Sequence, residues 1–285
     1  MKKIYILCVL LATFACKQQK SQNQENQTPK DTSNTTTTAQ EMVDSTLKKL
    51  VDNAPAKGAV LIYDQKQNRY FSNDFNWAKR GQLPASTFKI PNSLIMLETG
   101  TVKNDSTLIT WDGKKRYLKV WEQDMIFRNA FHLSCLPCYQ EMTRKVGEIT
   151  MQTWVKKFNY GNMVFDTTNY DKFWVAGESK ITQFEQIDFL QRFQASKLPI
   201  SARTDEIAKR MMIKEKTEVY TLRAKTGLSE VEKKLNGWYV GYVEKGDNVY
   251  FFATNLEPEK GLSSKKFIKL RIDLTMEALK QKGIL

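Results

Sequence analysis

The chain has 285 residues, of which 41% are hydrophobic and 26% charged, and its formal net charge is +13. This apolar content excludes a wholly disordered chain, and 4 cysteines are too few for a disulfide-stapled miniprotein or a multi-finger zinc protein. The single histidine, His132, excludes His-rich metal sites, and any mechanism with a histidine base must use this residue.

Residues 1–16 have the composition of an export signal. Two lysines precede an apolar run that is too short to span a bilayer, and a cysteine follows. This ending resembles the cleavage site of bacterial lipoproteins, although Thr13 and Phe14 replace the usual leucine and small residue. We therefore predict a leader over residues 1–16 and a lipid anchor at Cys16. An ordinary cleaved signal with an incidental Cys16 is the alternative.

Residues 17–41 contain no large apolar side chain. Such a segment cannot bury enough surface to offset the entropy of ordering it, which predicts a disordered polar tether. The folded domain is expected over residues 42–285. Together, leader and tether predict an exported, periplasmic protein that is anchored to the bacterial envelope through lipid.

The domain begins with a predicted helix from Met42 to Asp52, followed by a β-hairpin. The region of about 86–215 has a mainly helical pattern. Strand character then returns, and a helix ends the chain. The predicted hairpin strands are 58–64 and 69–73, the later strands are 218–227, 237–246 and 248–255, and the last helix is 263–283.

Strands at both ends with helices between them predict an α+β fold. An antiparallel sheet would be built from N- and C-terminal segments with flanking helices, and the mainly helical region of about 86–215 would be inserted beside it. The crevice between the sheet and the insert is the expected place for a site.

Because histidine is nearly absent, a lysine with a pKa lowered by burial is the remaining candidate for activating a nucleophile. Ser86 and Lys89 are three residues apart, so in a helical turn their side chains share one face. Apolar neighbours favour a buried Lys89. Taken alone, a Ser-x-x-Lys pattern also fits a solvated turn.

A second motif, Lys225-Thr226-Gly227, follows an alternating strand. It predicts a cation and a hydroxyl at a sheet edge that faces the cleft, with Gly227 permitting close approach to the backbone. A simple turn at the end of a strand is the alternative. The helical region adds two further polar motifs: Ser134-Cys135-Leu136 and Tyr160-Gly161-Asn162.

In this order the four motifs resemble those of the class D serine β-lactamases (oxacillinases), within the superfamily of penicillin-recognising serine enzymes. Ser-x-x-Lys and Lys-Thr-Gly are common to the superfamily. The Tyr-Gly-Asn motif and the segment Phe173-Trp174-Val175-Ala176-Gly177 point to class D. The resemblance extends from about Gly58 to the C-terminus and implies the β-lactamase/transpeptidase-like fold.

The resemblance also implies residue roles for acylation and its base. Ser86 would be the nucleophile that forms the acyl-enzyme. Lys89 would be the general base after carboxylation by CO2 from bicarbonate, with no other cofactor and no metal. Trp174 would donate its indole N–H to the carbamate on Lys89.

The remaining roles implied by the resemblance concern the substrate. Ser134 would relay a proton to the lactam nitrogen, and Lys225 would supply positive potential beside it. The backbone N–H groups of Ser86 and Leu228 would form the oxyanion hole. Thr226, Gly227 and Arg271 would bind the substrate, with the arginine gripping its carboxylate.

This chain has Leu136 where the family usually has a valine that screens the lysine. Both side chains are apolar, so we expect the mechanism to persist with altered rates. Leu136 is therefore included among the residues lining the substrate site.

The resemblance implies a serine β-lactamase that hydrolyses the β-lactam amide of penicillins. The alternatives are a penicillin-binding sensor with little turnover and a peptidoglycan transpeptidase or carboxypeptidase with the same site.

The predicted partner is a small-molecule β-lactam. Nucleic acid is not expected, because the basic residues are spread along the chain. Membrane contact is expected only through the lipid anchor, and a homodimer is left open.

Two other features suggest chemistry but have simpler interpretations. No thioredoxin-like pattern surrounds Cys135 and Cys138, so packed thiols are expected in preference to a redox motif. His132 lies two residues before Ser134 and is expected to be structural.

Overall fold

The computed structural model describes residues 39–285. The predicted leader, Cys16 and most of the predicted tether lie outside the described residues. In chain order, the strands of this region are β1 (Gln40–Val43), β2 (Ala56–Asp64), β3 (Arg69–Ser72), β4 (Leu108–Ile109), β5 (Met125–Ile126), β6 (Ile213–Lys216), β7 (Tyr220–Val231), β8 (Lys234–Lys245) and β9 (Asn248–Pro258).

Most helices lie between β3 and β6, as the predicted insert requires. The α-helices are α1 (Ser45–Asp52), α2 (Phe75–Ala78), α3 (Lys89–Glu98), α4 (Phe127–His132), α5 (Leu136–Val146), α6 (Glu148–Phe158), α7 (Gln183–Gln194), α8 (Ala202–Met211) and α9 (Ser264–Gln281). Two 3₁₀ helices, η1 (Ala85–Phe88) and η2 (Lys119–Trp121), complete the set.

Seven strands form one sheet in the order β1-β3-β2-β9-β8-β7-β6. N-terminal and C-terminal segments therefore meet at the pair β2–β9, which is antiparallel like its neighbours. The predicted α+β architecture is confirmed. The strands β1 and β6, each of four residues, form the two edges of the sheet.

Both faces of the sheet are covered by helices, which explains the nearly continuous burial of β2, β8 and β9. Alternate side chains of β2 point to opposite faces of the sheet and join two different hydrophobic cores. Val60 and Ile62 join a core with α1 and α9, whereas Leu61 and Tyr63 join a larger core with the helical insert.

Three details of the fold differ from the expectations. Met42 and Val43 belong to β1 instead of the predicted helix, because residues 40–43 pair with β3. This pairing is parallel, so the sheet is not antiparallel throughout. The insert also ends earlier than expected, at Met211, since residues 213–216 pair with β7 at the edge of the sheet.

Candidate active site

The predicted nucleophile lies in a turn that is anchored on both sides. Ser86 is in η1, directly before α3, and is half-buried. Trp238 Nε1 of β8 donates to the carbonyl of Leu83, at 2.9 Å, and the N–H of Ala85 donates to the carbonyl of Trp174, at 2.7 Å. Ala85 has a φ of 51°, which a residue other than glycine keeps only where its surroundings hold it.

Lys89 is the first residue of α3 and is fully buried. Its Nζ donates to Ser86 Oγ over 3.1 Å, as the spacing of three residues predicted. Burial lowers the pKa of Lys89 to about 7, because desolvation disfavours the charged form. Near pH 7 a substantial fraction of the molecules therefore carry a neutral, nucleophilic amine at Lys89.

Trp174 has a buried indole N–H without a hydrogen-bond partner among the described residues. The side chain is fully buried, and its ring stacks on Phe88 with centroids 5.5 Å apart. Phe88 directly precedes Lys89. A buried donor without an acceptor is costly, so this N–H favours an acceptor group that belongs to the functional state. A carbamate on Lys89 fits that requirement.

The motif Lys225-Thr226-Gly227 contacts the motif Ser134-Cys135-Leu136 in the cleft. Lys225 Nζ of β7 donates to Ser134 Oγ at 2.5 Å and to the carbonyl of Thr226 at 2.9 Å. Burial lowers the pKa of Lys225 well below its usual value, and the positive charges of Lys89, Lys214 and Arg271 lower it further. The amine–hydroxyl pair is thus suited to passing a proton.

Gly227 allows β7 to lie directly against the turn of the nucleophile. A Cβ at this position would lie 3.1 Å from the carbonyl oxygen of Pro84 and 3.2 Å from Thr87 Cγ2. The next residue along β7 is Leu228. The strand carrying the Leu228 N–H is therefore adjacent to η1, where the first N–H groups lack intrahelical partners.

Arg271 projects from α9 to the same part of β7. Its side chain is 5% exposed, and Nη1 donates to the carbonyl of Gly227 at 2.8 Å. Burial lowers the pKa of this guanidinium to about 10, so it is charged at neutral pH. Its Nε has no partner among the described residues and is a further donor for an anionic group. Thr226, beside Gly227, is half-buried.

The motif Tyr160-Gly161-Asn162 contacts η1 through its tyrosine, whose hydroxyl lies 3.2 Å from Thr87 Oγ1. Tyr160 is fully buried, and its hydroxyl donates to Gln186 Oε1 at 3.0 Å. Gly161 has a φ of 59°, and a Cβ there would lie 2.7 Å from the carbonyl oxygen of Lys180. Asn162 exchanges backbone hydrogen bonds with Lys180.

Gln186 is a site residue that the sequence analysis missed. It lies on α7 and is fully buried, and its Nε2 donates to Thr87 Oγ1 at 2.8 Å. Thr87 in turn donates to the carbonyl of Pro84 at 2.6 Å. The sequence did contain one indication of this role, a glutamine on the apolar face of a predicted helix. Buried side-chain amides are usually hydrogen-bonded to other polar groups.

Leu136 is half-buried at the start of α5, the helix that also carries Tyr139. The ring of Tyr139 lies 4.9 Å from Lys89 Nζ. The hydroxyl of Tyr139 lies 2.7 Å from Ser93 Oγ, which itself donates to the carbonyl of Lys89. Tyr139 and Ser93 were also missed from the sequence.

The expectation of packed free thiols at Cys135 and Cys138 is wrong. The two residues form a disulfide, with Cα atoms 5.4 Å apart. They bracket the first turn of α5, where Cys135 is the N-cap residue, so the helical geometry brings them together.

His132 bonds to a lysine at the edge of the sheet. Its Nδ1 lies 2.9 Å from Lys214 Nζ, which sits at a β-bulge in β6. Burial lowers the pKa of His132 to about 4, and the charges of Lys214, Lys225 and Arg128 lower it further. The ring is therefore neutral at physiological pH and accepts from the ammonium.

The cleft concentrates basic side chains. Lys89, Lys214, Lys225 and Arg271 form no salt bridge with any carboxylate in residues 39–285. An anionic ligand is the natural partner of such a site. In the same part of the chain, no group of three or more His, Cys, Asp or Glu side chains is placed to hold a metal ion.

Comparisons with known proteins agree with this geometry. Residues 50–271 match the penicillin binding protein transpeptidase domain family. The β-lactamase OXA-48 of Klebsiella pneumoniae is 39% identical over 231 residues, which cover 81% of this chain and 85% of that protein. OXA-5 of Pseudomonas aeruginosa is 40% identical over 220 residues, covering 75% and 82%.

A solved structure gives the same assignment. The class D β-lactamase YbXI from Nostoc superposes with a TM-score of 0.80 at 40% identity, covering 84% of this chain and 99% of that one. The chain therefore belongs to the penicillin-binding transpeptidase family and, within it, to the class D β-lactamases.

Proposed function

We propose that this β-lactamase hydrolyses the lactam amide of penicillins through an acyl-enzyme at Ser86, with Lys89 as the residue that supplies the base. The observation that carries the proposal is the contact of 3.1 Å between Ser86 Oγ and the Nζ of the fully buried Lys89. Trp174, whose indole N–H has no partner among the described residues, stacks on Phe88, the residue before Lys89. Nucleophile and base are within reach of each other, and an indole donor is available to orient the base.

In acylation, Ser86 Oγ loses its proton to the base at Lys89 and attacks the lactam carbonyl. The N–H groups of Ser86 and Leu228 would stabilise the developing oxyanion. As the C–N bond breaks, Ser134 delivers a proton to the lactam nitrogen and regains one from Lys225, 2.5 Å away. Arg271 and Thr226 would hold the substrate carboxylate and fix the orientation of the ring.

The base is proposed to be Lys89 in its carboxylated form. A carboxyl group on Nζ would supply an oxygen base where a histidine is missing, and the indole of Trp174 would hold it by a hydrogen bond. Burial prepares the amine for this modification, since only the neutral form combines with CO2 and the pKa of Lys89 is about 7. In deacylation the same base activates water against the ester at Ser86.

Turnover distinguishes this function from the alternatives. With benzylpenicillin in large excess over the full chain, we expect continuous hydrolysis over many turnovers in bicarbonate buffer, because a base beside the ester makes deacylation fast. A single burst equal to the enzyme concentration would instead indicate a penicillin sensor. Release of D-alanine from a D-Ala-D-Ala peptide would indicate a carboxypeptidase.

We further propose that the protein is exported and anchored by lipid at Cys16. The disulfide of Cys135 and Cys138 supports an oxidising compartment. In bacterial cells we expect the wild type to sediment with membranes and Cys16→Ala to appear in a soluble fraction. Identical fractionation of the two proteins would contradict the anchor.

A further inference from the structure

The disulfide lies between two residues that contact reacting groups. Ser134, directly before Cys135, accepts a hydrogen bond of 2.5 Å from the lysine of the Lys-Thr-Gly motif. Tyr139, directly after Cys138, has its ring 4.9 Å from Lys89 Nζ. The segment closed by the disulfide thus joins contacts to Lys89 and Lys225.

The backbone of Ser134 needs support to keep its conformation. Its φ is 52°, in the left-handed region that residues other than glycine seldom adopt. Upstream, the N–H of Ser134 donates to the carbonyl of Phe131 at 3.2 Å, and the N–H of Cys135 donates to the carbonyl of Ala130 at 2.9 Å. These bonds hold Ser134 to α4. Its other side depends on the first turn of α5.

The disulfide fixes that first turn. Cys135 is fully buried in the core of the insert, and Cys138 packs against the same core. The bond encloses Leu136 and Pro137, and the proline already restricts its own φ. Closing so short a loop removes less chain entropy from the unfolded state than closing a long one. The main effect expected of this bond is therefore on local geometry.

We propose that the disulfide of Cys135 and Cys138 is a positioning element for Ser134. It holds the left-handed turn so that Ser134 Oγ stays beside Lys225 Nζ and can deliver a proton to the lactam nitrogen. This inference rests on the proposed function, in which Ser134 protonates the leaving nitrogen during acylation.

The test compares acylation rates of the full chain with and without the bond. In the double variant Cys135→Val/Cys138→Val we expect the acylation rate constant, measured by stopped flow with a penicillin, to fall about 10- to 100-fold, since small misplacements of a proton donor cost this much. The deacylation rate constant should change by a smaller factor. Equal losses in both steps, or no loss, would overturn the proposal.

Two controls separate positioning from general destabilisation. In a Ser134→Ala background, removal of the disulfide should cause no further loss of acylation rate, because the residue through which it acts is gone. Leu47→Ala, a fully buried change on α1 in the core beyond the sheet, should lower the melting temperature without slowing acylation. A full additional loss in the Ser134→Ala background would assign the bond to stability alone.

Reduction of the folded wild type gives a second measurement if the double variant fails to fold. After reduction, with free thiols counted by alkylation and mass spectrometry, the reduced protein should acylate slowly and recover on reoxidation. Unfolding on reduction, or an unchanged rate, would overturn the proposal. Absence of penicillin hydrolysis by the untreated wild type would instead refute the proposed function.

Discussion

Ser86→Ala is expected to hydrolyse nitrocefin at least about 10⁴-fold more slowly than the wild type, since loss of a serine nucleophile removes the covalent pathway altogether. No mass increase should be found on the variant after incubation with a penicillin. The fold should be retained, because η1 is held by bonds of Leu83, Ala85 and Thr87 and not by the Ser86 hydroxyl. Steady-state kinetics and intact-protein mass spectrometry provide the measurements.

The matched control is Ser106→Ala, which removes an exposed hydroxyl from a turn outside the cleft. Its activity should equal that of the wild type. If Ser86→Ala hydrolyses nitrocefin as fast as the wild type, another residue is the nucleophile and the proposed mechanism is wrong.

Lys89→Ala is expected to acylate more slowly than the wild type and to form an acyl-enzyme that persists, because no base remains at this position to activate Ser86 or the hydrolytic water. Mass spectrometry should show the penicilloyl adduct long after the wild type has released it.

In the wild type, the neutral fraction of Lys89 falls as the pH drops through about 7, the pKa that burial gives this amine. The bicarbonate concentration needed for half-maximal activity should therefore rise as pH falls below 7.

Trp174→Phe tests whether the indole N–H stabilises a carbamate on Lys89. It keeps Lys89 and an aromatic ring against Phe88 but removes the unpartnered indole N–H. Loss of one hydrogen bond to a charged group should raise the bicarbonate requirement about 10- to 100-fold, with full activity restored at saturating bicarbonate. Activity of Lys89→Ala at the wild-type rate, or a Trp174→Phe enzyme indifferent to bicarbonate, would contradict a carboxylated base.

Sequence periodicity predicted the features that depend on local geometry. The contact between Ser86 and Lys89 follows from three-residue spacing in a helical turn, and the burial of Lys89 follows from its apolar neighbours. The long strands β7, β8 and β9 were predicted from their β-rich composition and turn residues, with boundaries displaced by a few residues. In each case the deciding information lies within about ten residues.

Features that depend on distant segments were not predictable in this way. Met42 and Val43 form a strand because β3 lies alongside them, which the four-residue segment does not encode by itself. The left-handed φ of Ala85 and of Ser134 is imposed by the surroundings, since neither residue favours it. The roles of Gln186 and Tyr139 depend on helices that pack against η1 and α3 only in the folded chain.

The spacing of Cys135 and Cys138 was visible in the sequence but did not decide their chemistry. Two cysteines three residues apart fit free thiols as well as a disulfide. The N-terminal turn of α5 makes the disulfide geometrically possible, because it brings the two Cα atoms to 5.4 Å, and the two sulfurs are bonded in the folded chain.

The two short edges of the sheet also affect how copies of this protein can meet. An exposed strand edge invites another chain to extend the sheet, which is a route to aggregation. In this fold β1 is only four residues long and its Glu41 pairs with Lys79, whereas β6 carries Lys214, Glu215 and Lys216 and is interrupted by a bulge. Charge and irregularity thus disfavour extension of the sheet by a second copy at either edge.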